Sequence, residues 1–268
     1  MPYRYAHYFC LLLLPAAAIG FSSYLFELPE AGFAKHAHAF AATLWILVLA
    51  GQSASIHSGR RSVHRLLGLA SLLVFPLYIG GFFAVYRSEA RRILAGDPYA
   101  EIFGPGIGVI TLVAVAATAY MYYSGLRQRR NVHLHARWML VTVFLFSESV
   151  LGRILNNFIP PLYVNDLGDV RRIYDAFHIA QLLAAVVALG LYFQNRKHGA
   201  PFLCVIAALF VQSVSLEFFD SHDRWREVFV ASGSWPSVAF AVFGVVLGAG
   251  VAGMGWSAGT RAGLARDR

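Results

Sequence analysis

Apolar residues fill this chain in eight stretches, at about 8–27, 36–56, 64–86, 105–126, 134–157, 174–194, 201–218 and 236–257, with short polar connections between them. A bilayer core about 30 Å thick is crossed by roughly 20 apolar residues in a helix, and every stretch is near that length. In hydrocarbon an unpaired backbone N–H or C=O has no water to turn to, so such stretches form helices and not open strands. The pattern predicts an all-α, polytopic transmembrane bundle of about eight helices, with residues 1–268 as a single membrane domain. The longest polar connections, around 87–104, 156–173 and 217–235, leave no room for a large soluble domain. Arg4 ahead of a Leu-rich run has the outline of a signal peptide. No small-x-small cleavage site with a polar flank precedes Phe21, however, and the run continues to Phe26, so a retained helix is expected.

Breakers refine the picture. Pro15 and Pro76 fall inside the first and third stretches and predict kinks, and Gly80-Gly81 would loosen the end of the third. Gly104-Pro105-Gly106 reads as a turn into the fourth helix, and Asn156-Asn157 with Pro160-Pro161 ends the fifth. The eighth carries Gly244-x-x-x-Gly248, Ala249-x-x-x-Gly253 and Gly255-x-x-x-Gly259, small residues at the spacing that lets helix backbones approach closely. Packing within the chain is the expected use. The tail after Trp256 reads as short, basic and loose.

Composition supports the membrane reading. Of 268 residues 58% are hydrophobic and 13% charged, about half the charged share of a soluble domain. The net charge of +8 acts on topology. With the N-terminus in the cytoplasm, cytoplasmic segments carry Arg4, Arg60, Arg61, Arg65, Arg127, Arg129, Arg130, Arg137, Arg196, Lys197, Arg261, Arg266 and Arg268, against one acid, Asp267. Nearly all other acids fall on the opposite side, together with Lys35, Arg87, Arg91, Arg92, Arg171, Arg172, Arg224 and Arg226. The Lys/Arg bias argues N-in and C-in. The Arg clusters lack the interleaved aromatics of a nucleic-acid surface, so the expected partner is the lipid bilayer and not nucleic acid. Cys10 and Cys204 each lie inside an apolar run, with no C-x-x-C, and read as small buried side chains.

Ionisable residues inside a span are expensive and point to function. The fifth stretch holds Glu148 near its middle and Arg153 five residues on. At about 100° per residue these point some 140° apart, so each needs a partner on another helix. The sixth offers Asp175, His178 and Gln181, the second His36 and His38, the seventh Gln212 and Glu217, and the first Glu27. All lie toward the extracytoplasmic half, which predicts a polar cavity there, with Glu148, Arg153 and Asp175 as charge partners, catalytic or proton-relaying groups. An Arg153–Asp175 pair that only fixes packing is the plain alternative.

A second cluster is cytoplasmic: His57, His64, His133 and His135 at helix ends. His and Arg in the headgroup layer are ordinary, but His64 and His133 or His135 share one depth. From there His135, Met139, Thr142, Phe146, Ser149 and Arg153 form one stripe toward the outer cluster. Imidazole ligates haem iron and other metals. An inner pair (His64 with His133 or His135) and an outer pair (His36 or His38 with His178) would hold two b-type haems. Alternatively His36, His38 and His178, with Glu148 and Asp175, supply ligands for zinc or iron. His36 and His38 are two apart and diverge in a regular helix, so one of them serves a single site. No H-E-x-x-H, P-loop or G-x-S-x-G is present.

HAHAFAATLWILVLAGQ, VHRLLGLAS and HLHARWMLVTVFLFSESVLGRIL resemble an uncharacterised family of bacterial multi-pass membrane proteins. The resemblance rests on a helix ending in Gln52, on His64, Arg65 and Gly68 as an H-R-x-x-G helix start, on His135, Arg137, Trp138 and Met139 as H-x-R-W-M, and on Arg153 at the helix end. It covers about 34–155, a four-helix core, and implies a bacterial inner-membrane location without an activity. In outline the core is also similar to two-haem cytochrome b electron carriers, but its fourth helix has no histidine, so an outer haem would draw on the sixth. Three readings follow. The first is a membrane redox protein with haem b or a quinone at histidine-lined sites, serving a membrane redox partner. The second is a metal-dependent membrane hydrolase, and the third a transporter, sensor or assembly factor with an extracytoplasmic ligand cavity.

Overall fold

The computed structural model describes residues 2–264. The chain runs α1 (Ala6–Gly20), α2 (Ser22–Phe26), α3 (Phe33–His57), α4 (Arg61–Leu94), α5 (Pro98–Arg127), α6 (Val132–Val141), α7 (Phe144–Phe158), α8 (Arg171–Gln194), α9 (Ala200–Asp220), α10 (Asp223–Ser232) and α11 (Ser237–Leu264). Among the described residues there is no strand. Seven segments are long and apolar enough to cross a membrane, with α6 and α7 together forming one of them. The protein is an all-α polytopic helical bundle.

Four expectations are corrected. The first apolar stretch is not one span-length helix: α1 has 15 residues, about 22 Å, and the chain bends at Phe21 into α2. The polar stretch 87–104 is not a loop. Arg87, Glu89, Arg91 and Arg92 ride on the last turns of α4, and the connection is only Ala95–Asp97, because charge does not oppose helix where the end projects past the hydrocarbon. At 34 residues, α4 is about 51 Å long against a core of about 30 Å. Gly104-Pro105-Gly106 is not a turn but lies inside α5, and the Pro105 carbonyl accepts a hydrogen bond from Trp225 Nε1 of α10 at 2.7 Å. The chain after Trp256 continues as helix to Leu264. Arg266, Asp267 and Arg268 lie outside the described residues.

The tight α4–α5 connection has a local cause. Pro98 occupies the first helical position, and the Asp97 carboxylate accepts from the Tyr99 and Ala100 N–H groups, each at 3.0 Å. The same carboxylate pairs with Arg92, whose guanidinium also reaches Glu89. Burial opposes the Asp97 charge, but the Ala100 N–H, Arg92 and the Tyr99 N–H outweigh it and hold the carboxyl below its ordinary range. A carboxyl lowered on folding adds stability above its unfolded value, and that stability is lost as pH falls through the folded one. Asp97→Ala is therefore expected to cost about 1 kcal/mol at neutral pH. The gap in thermal midpoint should close as pH falls below about 4. A gap that persists in acid would show that the carboxylate is not its source.

Short connections force α3, α4, α5 and α6 to alternate in direction. Acidic connections, with Glu27, Glu30, Asp97, Asp166 and Asp169, thus gather at one end, and Arg60, Arg61, Arg129 and Arg130 at the other. The centre is aromatic. Trp45, Phe75, Tyr78 and Tyr122 are fully buried, with Phe75 stacked on Tyr122 at 3.9 Å between centroids. Two of their polar tips are satisfied, Trp45 Nε1 by Thr142 Oγ1 at 3.2 Å and the Tyr122 hydroxyl by Ser71 at 2.9 Å. Thr142 stands at the break between α6 and α7 and also donates to the Met139 carbonyl. Two of the three small-residue pairs of α11 pack within the chain, with Gly244 against Gly80 and Ile79, Gly248 against Pro76 and Gly255 against Tyr123, while Ala249 and Gly253 are exposed.

Candidate functional site

At the acidic end a cavity of about 760 Å³ lies between α1, α2, α3, the end of α4, the start of α5, α7 and α8. Its wall is apolar, with Ala18, Ala42, Ile46, Ile107, Phe146 and Phe177. The exposed Glu27, Glu30 and Lys35, with Glu89 and Arg92, set the charge around it. Arg153 and His38 reach it from facing helices, each five residues from its helix end, about 8 Å below the rim.

Arg153 has an unusual set of neighbours. It donates to the Ser149 carbonyl at 3.2 Å and the Ser149 hydroxyl at 2.8 Å, on its own helix. The guanidinium then lies over the Phe21 ring, 4.4 Å from its centroid, and 5.9 Å from that of Phe177. Among the described residues no carboxylate forms an ion pair with it. The alternative Arg153–Asp175 pair is absent, because α8 turns Asp175 out to an exposed position while Phe177 faces the cavity. His38 is held by the close approach of α3 and α4 at Gly81, where a Cβ would stand 2.9 Å from the His38 Cα. Its ring packs edge-on to Phe82 at 4.8 Å, and Nδ1 has no protein partner.

The structure separates the other outer candidates. His36 diverges from His38 as their spacing requires and bonds the Tyr24 hydroxyl through Nδ1 at 2.8 Å. His178 is one residue past Phe177, so the helix turns it about 100° away from the cavity and toward α9. There Nδ1 meets the Ser213 hydroxyl at 2.8 Å and Nε2 meets Glu217 at 2.7 Å, while Arg171 also bonds Glu217. An outer histidine pair of His36 or His38 with His178 is therefore not formed. Nor, among the described residues, do three His, Cys, Asp or Glu side chains gather as a metal set, so His36, His38, His178, Glu148 and Asp175 do not form the expected zinc or iron site. Ser213, His178 and Glu217 do fall in nucleophile–base–orienter order. Ser213 sits in mid-helix, though, where backbone N–H groups belong to the helix ladder and none is free to stabilise an oxyanion.

Glu148 is 2% exposed and bonds Gln212 Nε2 at 2.8 Å. Its partner is an amide on α9 and not a cation. At the basic end, His64 and His135 come together as the spacing suggests, around a small cavity of about 40 Å³ also lined by His57, Gln52 and Met139. Each ring bonds a backbone carbonyl through Nδ1: His64 to Gln52 at 3.1 Å, His135 to Gly125 at 2.8 Å and His57 to Ser53 at 2.8 Å. A carbonyl only accepts, so each Nδ1 carries the hydrogen and each Nε2 keeps a lone pair for a ligand. That donor set suits haem iron or another metal, but the space takes about a water and not a porphyrin. His133 is elsewhere, stacked on His198 at 4.8 Å. Of the expected stripe, His135 and Met139 line the inner cavity and Phe146 and Arg153 the outer one, while Thr142 between them is buried and bonds Trp45.

Sequence reasoning placed Glu89 and Arg92 in a loop and missed Phe21, Tyr24 and Glu30 as cavity residues. Phe21 was legible only as one apolar residue within a run that continues to Phe26. The chain matches no family model, no curated protein and no solved structure. What the cavity can take must be read from its own chemistry.

Proposed function

We propose that the protein is a membrane redox component that binds a quinone in the outer cavity, with the ring between His38 and Arg153. The observation that carries this reading is a guanidinium at an apolar cavity with no carboxylate within ion-pair distance, Glu89 acting on it only from farther off, and an imidazole on another wall of the same cavity. Both groups suit a ligand that accepts hydrogen bonds at two separated oxygens. Volume agrees, since small-molecule sites span about 300–1,000 Å³. Charge decides between an anionic and a neutral head. Three acids (Glu27, Glu30, Glu89) and three bases (Lys35, Arg92, Arg153) line the cavity, a formal sum of zero with His38 neutral. A net-neutral cavity favours a neutral diketone with an apolar tail over a free anion.

A bound quinone supplies reversible two-electron, two-proton chemistry. This chain's residues would orient it. Arg153 would hold one carbonyl oxygen, His38 would donate to or accept from the other, and Phe21, Phe146 and Phe177 would exclude water from the ring. The mixed rim suits the headgroup layer, and the charge bias supports an extracytoplasmic rim in a bacterial inner membrane. Haem at His64 and His135 has the right ring orientation and too little room, since the cavity there is only about 40 Å³.

Titrating the purified protein with a short-tailed quinone, followed by tryptophan and tyrosine fluorescence, tests the reading. Saturable quenching with micromolar affinity is expected. No saturation, with a zwitterionic phospholipid as the sole tightly retained ligand, would replace the quinone by a lipid headgroup.

A further inference from the structure

Three polar side chains meet inside the bundle without a charged neighbour. Glu148 of α7, Gln181 of α8 and Gln212 of α9 are 2%, 3% and 1% exposed. Gln212 Nε2 donates to Glu148 Oε1 at 2.8 Å and to the Ile110 carbonyl of α5 at 3.3 Å. Two oxygens around one nitrogen fix the direction of that amide, so Gln212 Oε1 points away from both. Gln181 stands beside Glu148 from the third helix. The buried atoms left without a partner are Glu148 Oε2, Gln212 Oε1, Gln181 Oε1 and Gln181 Nε2. The Gln181 amide is the one further donor beside Glu148, so acceptor oxygens outnumber donors in the cluster.

The shortage is of positive charge. Arg153 is turned some 140° away on the same helix and bonds Ser149. On α8, His178 faces Ser213 and Glu217, and Asp175 is exposed. On α9, Glu217 pairs with Arg171 and Asp220 with the Tyr174 hydroxyl. None of these reaches Glu148. A carboxylate in hydrocarbon without a counter-charge is expensive, and intramembrane acids in such settings mark proton and ion paths.

We propose that Glu148, Gln181 and Gln212 form a small-cation site in the membrane interior, filled by a proton or a sodium ion. Both supply what the three open oxygens lack. A proton on Glu148 Oε2 becomes an O–H donor to an amide oxygen and leaves the cluster neutral. A sodium ion would pair with the Glu148 carboxylate and draw on amide oxygen and water for the rest of its shell. Phe177 is one turn before Gln181 on the same face of α8 and lines the outer cavity, so the site lies about 6 Å beneath that wall. The inference stands without the quinone reading, because none of the three side chains lines that cavity.

Infrared spectroscopy of the full-length protein in detergent at neutral pH, in sodium chloride and in choline chloride, tests it. Glu148→Gln, nearly the same shape, assigns the Glu148 signal. A protonated-carboxyl band that vanishes in Glu148→Gln and ignores sodium identifies the proton. A Glu148 carboxylate band that shifts saturably with sodium, with apparent affinity at least tenfold weaker in Gln181→Leu, identifies the ion. An ionised Glu148 that ignores saturating sodium overturns the site. Should Glu148→Gln fail to fold, Gln212→Leu serves instead: loss of its hydrogen bond must move the Glu148 band, and an unmoved band would count against the site.

Discussion

Arg153→Leu is expected to lower quinone affinity roughly 10- to 100-fold while leaving the protein as resistant to heat as the wild type, or more so. A hydrogen bond to a charged group contributes about 1.5–3 kcal/mol, and about 1.4 kcal/mol is tenfold in affinity. The expected stability has the opposite origin. Arg153 sits between Phe21 and Phe177 with Ser149 as its hydrogen-bond partner and, among the described residues, no acid within ion-pair distance, Glu89 acting only from farther off. Replacing a poorly compensated buried charge with an apolar side chain is often neutral or stabilising. A residue whose removal spares the fold and abolishes binding is held in place by function. Arg153→Lys keeps the charge and loses the planar fork and its stacking, so its affinity should fall between the two. Isothermal binding and thermal melts of the three proteins decide it. A leucine variant that binds as well as the wild type would remove Arg153 from the site, and one that fails to fold would make the guanidinium a structural group.

Gly244→Leu should be the most damaging single change in the bundle outside that site. A Cβ at Gly244 would stand 2.8 Å from the Gly80 Cα and 2.9 Å from the Ile79 carbonyl of α4. These are backbone atoms, so the clash is relieved only by moving α11 away from α4. In lipid no hydrophobic force draws helices together, and close packing carries the association. Overpacking of this kind costs about 1–3 kcal/mol or more. Gly253 on the same helix has nothing within 4 Å of its Cβ position, so Gly253→Leu is the control. The unfolding midpoint in a denaturing detergent should drop for the first variant and hold for the second. Equal midpoints would mean that the α4–α11 crossing is not set by its small residues.

Periodic apolar length was enough to read the bundle, because in lipid a run of about 20 apolar residues has no other stable form. It failed where charge and helix coexist. Arg87, Glu89, Arg91 and Arg92 looked like a loop because hydropathy marks where hydrocarbon ends and not where helix ends. Pro105 looked like a turn because its lost N–H is visible in sequence, while its carbonyl's bond to Trp225, 120 residues away, is not. The α6–α7 break at Thr142 has no proline or glycine to announce it and coincides with the long-range bond from Trp45.

The site was legible in part. Glu148 and Arg153 stood out as ionisable residues in an apolar stretch, and their 140° divergence does send them to different neighbours. Their partners were not legible. Glu148 takes an amide and Arg153 takes aromatic faces, since a bundle can place any side chain of an adjoining helix against a charge. His178 was drawn into the outer cluster by its depth alone. Depth fixes only one coordinate, and the helix phase set by Phe177 carries His178 to Ser213 and Glu217.

Photo-crosslinking with an azido-quinone, followed by peptide mapping, tests the outer cavity most directly. Quinone-protected label is expected on segments that contain His38 to Ile46 of α3 and Phe146 to Asn156 of α7. Label confined to the basic end around His64 and His135, or label that excess quinone does not displace, would contradict a quinone held by His38 and Arg153.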